Sequence, residues 1–166
     1  MVRSRERRVL TAAMAAVLLA CAGATFAQTR EAVTLPPGVR AEWSLGGAFR
    51  EATPTRERVC INGLWRWQPA EAAPGDVPTG RWGYFKVPGS WPGITSYNHK
   101  DCQTVFTHPA WRDVNMRTLT AAWYEREITV PADWGGRRIV LAAEYVNSFA
   151  TVYLDGRMVG EILFPA

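Results

Sequence analysis

The chain has 166 residues, a length that fits one domain once an export signal is set aside and that leaves no room for a (β/α)-barrel of about 250 residues. Its net charge of +4 belongs mostly to the head of the chain, where Arg3, Arg5, Arg7 and Arg8 against Glu6 supply +3. The later basic residues are scattered among acids, which argues against the concentrated basic patch that nucleic-acid binding requires.

Residues 1–8 are Arg-rich, 9–22 form an apolar Ala/Leu/Val run, and Ala24-Thr25-Phe26-Ala27-Gln28 ends the segment with small residues. This is the pattern of a signal peptide over residues 1–27, cleaved after Ala27. The apolar run of about 14 residues spans about 21 Å as helix, short of the ~30 Å hydrocarbon core, so no stable membrane span is expected. Leu18-Leu19-Ala20-Cys21 also fits a lipoprotein box that would acylate Cys21, and Arg7-Arg8 fits the twin-arginine route. Either way the mature chain is expected in the periplasm or outside the cell. Cleavage leaves Cys60 and Cys102 in a compartment where disulfides persist, and both a Cys60–Cys102 bridge and two unrelated thiols fit the sequence.

Residues 28–57 mix Pro, Gly, Thr and charge with little periodicity, so a lead-in arm is expected there, with at most a short strand near Ala41–Leu45. From residue 58 to 166 short apolar or alternating runs are punctuated by Gly, Pro, Asn and Asp: 58–61, 64–68, 82–87, 104–106, 121–130, 138–145, 149–154 and 158–164. Short strands at such spacing predict an all-β sandwich or barrel. In Tyr124–Val130 the period of two places Tyr124, Ile128 and Val130 on one face and Glu125, Glu127 and Thr129 on the other. Pro131 ends that run, Ile139, Leu141, Ala143 and Tyr145 carry the next, and Asp155-Gly156 between apolar stretches predicts a tight hairpin. Three consecutive antiparallel strands are expected from 121 to 154.

Most site chemistry is missing from the pattern. His99 and His108 have no metal-ligand spacing with the cysteines, and neither a Gly-x-Ser-x-Gly elbow nor a phosphate-cradling loop occurs, so neither a metal nor a cofactor is expected. Glu125 and Glu127 have the look of an exposed strand face. Arg126 shares the inward face with Tyr124 and requires a partner, for which Glu144 or Asp155 are candidates. The irregular stretch 89–106 carries Trp91, Tyr97, Asn98 and His99, aromatic and polar side chains of the kind that stack on sugar rings and satisfy their hydroxyls. Packing of Trp91 on the core beneath the loop is the competing reading.

Five fragments carry a family likeness. Asn62–Trp67 resembles the "G-x-W-x-F" strand of the N-terminal sugar-binding domain of family 2 glycoside hydrolases, and Val87–Trp91 resembles its "VP-x-x-W" turn. Trp123–Pro131 is similar to "W-Y-x-R-x-F-x-V-P", Val140–Ser148 to "L-x-F-x-G-V-x-S", and Val152–Gly160 to "V-x-x-N-G-x-x-V-G" with Asp155 in place of Asn. The resemblance implies an antiparallel, galactose-binding-like jelly roll that binds carbohydrate, followed in the family by an immunoglobulin-like domain and a retaining catalytic barrel. On this reading the chain itself is non-catalytic, its partners are carbohydrate and those domains, and the sequence stops before the usual closing strand. A free-standing secreted carbohydrate-binding module is the alternative.

Overall fold

A computed structural model describes residues 31–70, 75–89, 105–144, 146 and 149–163. The described residues form eight strands and no α-helix; their helical turns are short 3-10 segments at Leu45–Gly47, Pro109–Trp111, Met116–Thr118 and Ala132–Trp134. The protein is therefore of the all-β class. Among the described residues no helix is long and apolar enough to cross a membrane.

The strands are β1 (Arg50–Ala52), β2 (Glu57–Val59), β3 (Gly63–Pro69), β4 (Gly83–Val87), β5 (Val105–Phe106), β6 (Ala122–Glu125), β7 (Phe149–Leu154) and β8 (Arg157–Leu163). They build a four-stranded antiparallel sheet in the order β5-β4-β3-β6 and two hairpins, β1-β2 and β7-β8. β3 has the composition of a central strand. Alternation sends Trp65 and Trp67 to one face and Leu64, Arg66 and Gln68 to the other. On the first face Trp67 packs against Phe85 at 6.0 Å between ring centroids, and Phe85 meets Tyr124 edge-on at 5.8 Å. Among the described residues Trp67, Trp82 and Phe85 are the fully buried large side chains. On the second face Gln68 is buried and donates to the Gly80 carbonyl at 3.1 Å. Trp123 of β6 meets Tyr153 of β7 at 5.2 Å, where the C-terminal hairpin touches the sheet.

The 31–57 stretch is docked on this sheet rather than standing off it. Trp82 N–H donates to the Glu31 carbonyl and accepts Val33 N–H in return, and Trp43 donates its indole N–H to the Leu64 carbonyl at 2.8 Å. The short strand expected near Ala41–Leu45 is absent. Ser44 instead caps the 3-10 turn Leu45–Gly47 by accepting Gly46 N–H, and the strand of this region is β1, made of exposed residues whose pattern carries no apolar signal.

Of the three consecutive strands expected from 121 to 154, the first forms only as the short β6, the third forms as β7, and the middle run is not a strand over its described residues 138–144. β6 stops at Glu125, two residues short of the position opposite Leu64, whose carbonyl accepts the Trp43 indole N–H. Ala70 N–H donates to the Ala121 carbonyl, so the ladder alternation turns the Leu64 carbonyl toward β6, opposite Glu127. Residues 138–144 make no ladder either. The run is flanked by two side-chain ion pairs to β2, Arg137 with Glu57 at 3.2 Å and Arg58 with Glu144. Ile139, Val140 and Leu141 are exposed.

The Asp155-Gly156 turn forms as expected. Asp155 at φ 49° and Gly156 at φ 77° are both left-handed, as a two-residue hairpin turn of the I′ type requires, and β7 pairs with β8 through a bulge at Val152/Tyr153.

Candidate functional site

Two arginines next to the β3/β6 ladder have opposite surroundings. Arg66 sits directly across from Glu125 and donates through one guanidinium nitrogen to Glu125 at 2.5 Å and Glu127 at 2.7 Å. Trp43 covers it, with the guanidinium carbon 4.6 Å from the ring centroid. Burial, the largest single influence, works to lower the Arg66 pKa, but the hydrogen bonds and charges of both glutamates together raise it above the ordinary arginine value. Glu125 and Glu127 are thus engaged in fastening β3 to the end of β6.

Arg126 follows the last β6 residue and turns the other way. The partners expected for it are committed elsewhere: Glu144 to Arg58, and Asp155 to the hairpin turn. Arg126 Nη2 makes a long 3.5 Å contact with the Glu42 carbonyl, while Nη1 and Nε are shielded and have no hydrogen-bond partner. Nη1 lies 3.9 Å from the place a side chain would occupy at Gly63, whose φ of 134° bends the start of β3. Desolvation by burial pulls the Arg126 pKa below the ordinary value, with Cys60 and Glu42 opposing it.

Arg126 borders a cleft of about 270 Å³ that is also lined by Glu42, Ser44, Phe49, Cys60 and Asn62, with Gly47 and Ala48 between them. Gly47, at the end of the 3-10 turn Leu45–Gly47, lines it, and Cys60 N–H donates to the Phe49 carbonyl at 2.9 Å, joining two of its lining residues. Glu42 accepts Ser44 N–H at 2.9 Å, which holds its carboxylate at the rim. Phe49 is 70% exposed and presents a free ring face. Cys60 is a half-buried free thiol.

The residues singled out for sugar contact, Trp91, Tyr97, Asn98 and His99, lie outside the described residues, as does Cys102, the partner considered for Cys60. His108 caps the 3-10 turn Pro109–Trp111 by accepting Ala110 N–H on Nδ1. Among the described residues no group of three or more His, Cys, Asp or Glu side chains is placed to hold a metal. The sequence singled out Arg126 but not its cleft, because Glu42, Ser44 and Phe49 come from a stretch without periodicity. The one available signal was an aromatic and an acid, Trp43 and Glu42, next to a Ser-led turn.

No protein-family model matches the chain, and no solved structure matches it at a significant level.

Proposed function

We propose that this chain is the non-catalytic, carbohydrate-associated jelly-roll domain of an exported family 2 glycoside hydrolase, acting beside domains that perform the hydrolysis. The reading rests on motif order. The Gly63–Trp67 and Trp123–Glu125 fragments, far apart in sequence, are ladder neighbours with Arg66 opposite Glu125, and the Asp155-Gly156 fragment is a tight hairpin. Two of the motif strands thus share one sheet, as strands of one sugar-binding domain should. The exposed apolar side chains of Ile139–Leu141 and of Phe149, Leu154, Met158, Val159 and Leu163 supply surface for the accompanying domains to cover.

The test is titration of the purified chain with β-linked gluco-, galacto- and manno-oligosaccharides by NMR, with chromogenic β-glycosides assayed in parallel. Saturable shifts at millimolar sugar without glycoside cleavage are expected. Absence of any shift with all three series overturns the carbohydrate reading, and cleavage by this chain alone overturns its non-catalytic character.

A further inference from the structure

We infer that the Arg126 cleft is a binding site for one neutral pyranose unit, such as the terminal residue of a glycan. The inference rests on the carbohydrate-associated reading above and assigns that function to residues other than the 89–106 loop.

The chemistry of the lining selects the ligand. A guanidinium offers five N–H donors in a planar fork, and at Arg126 only one long contact to a carbonyl uses any of them. Its Nε and Nη1 donors are shielded and have no partner within the fold, so a side-chain rotation that presents them to the cleft would give them the acceptors they lack. An anion would answer the charge, but Glu42 lines the same cleft and would repel it. A neutral polyol avoids that conflict, since each hydroxyl both accepts from Arg126 and donates to Glu42. Asn62 adds an amide with both functions. The Ser44 hydroxyl oxygen accepts Gly46 N–H at 3.2 Å and keeps its own proton to donate. The exposed ring of Phe49 provides the apolar platform on which the C–H face of a pyranose stacks. The volume of about 270 Å³ has room for a single ring.

The experiment uses the ¹⁵N-labelled chain and three probes: methyl β-D-glucopyranoside, methyl β-D-galactopyranoside and sodium acetate. At least one glycoside should produce saturable shifts of the Arg126 Nε–H and the Asn62 side-chain amide in the millimolar range, and acetate should not. Arg126→Lys, which keeps the charge but loses the fork, and Asn62→Ala should each weaken binding about tenfold with the unfolding midpoint unchanged. Sugar-induced shifts that bypass both groups, with affinity intact in both variants, overturn the assignment while leaving the carbohydrate reading standing. Acetate matching the glycosides overturns the neutral-sugar assignment, and silence with every sugar removes the broader reading and this one together. Should Arg126→Lys fail to fold, Asn62→Ala and Phe49→Ala decide, because Phe49 is too exposed for its loss to unfold the domain.

Discussion

Replacing Gly83 by alanine tests the packing of the central sheet. Gly83 opens β4 opposite Trp67, and a Cβ built there lies 2.4 Å from the Phe106 carbonyl oxygen and 3.1 Å from the His108 nitrogen. Ordinary carbon–oxygen contact begins near about 3.3 Å, so the β5 backbone must retreat by about 0.9 Å to admit one methyl group. Both obstructing atoms are backbone, and no rotamer change relieves them. Phe106 is the residue paired with Tyr84, and that retreat takes its ladder bonds beyond hydrogen-bonding distance. Adding the loss of one or two hydrogen bonds to the strain of overpacking gives an expected destabilisation of about 2–4 kcal/mol. Gly160 in β8 is the control, since its added Cβ meets nothing within 4 Å. Gly160→Ala should be neutral or gain about 0.5–1 kcal/mol. The assay is urea unfolding followed by tryptophan fluorescence, to which buried Trp67 and Trp82 contribute. Gly83→Ala and Gly160→Ala unfolding at the same urea concentration, with equal slopes, would refute the close approach of β4 and β5.

Three further outcomes are expected. Arg66→Met removes the half-buried ion pair with Glu125 and should cost about 1.5–3 kcal/mol, whereas Arg58→Met breaks a solvent-exposed pair with Glu144 and should cost less than about 1 kcal/mol; a double-mutant cycle with each glutamate measures both. Gly156→Ala forces a side chain into φ 77° and should destabilise the hairpin by about 1–2 kcal/mol in thermal unfolding, while Asp155→Asn, equally suited to the turn, should not. Alkylation of the unfolded but unreduced protein should modify Cys60 fully, and recovery of a Cys60–Cys102 disulfide peptide in its place would refute the free thiol.

The legible part of the fold was the part written in side-chain type. β3, β4 and the β7-β8 hairpin were readable because aromatic residues alternate with polar ones and because Asp-Gly suits two consecutive left-handed residues. The runs 126–130 and 138–144 had the same alternation and did not become strands. Period two states that a segment is able to pair, but pairing also needs a vacant edge. The Leu64 carbonyl accepts the indole N–H of Trp43, from a stretch with no periodicity at all, and the 138–144 run is flanked by two ion pairs to β2. The meeting of an indole with a carbonyl distant in sequence is a tertiary event, and no local pattern encodes it. The Arg126 cleft was illegible for the same reason, since its walls come from 42–49, 60–62 and 126. What the sequence did carry was the requirement that Arg126 find a partner.

That requirement is what separates the two arginines. Arg66 and Arg126 are both drawn from water, and in both burial is the leading influence on the guanidinium. At Arg66 two carboxylates and an indole face more than offset it, and the residue is raised above its ordinary pKa. At Arg126 Cys60 and Glu42 oppose it without success, and the residue is lowered. Arg126 is half-buried, and two of its donors are shielded without a partner, which costs the fold the desolvation of those groups. Arg66 fastens β6 to β3, whereas Arg126 reaches the Glu42 carbonyl and the start of β3 at Gly63. On the proposed reading, the unpartnered Nε and Nη1 donors of Arg126 are what a ligand in the cleft would answer.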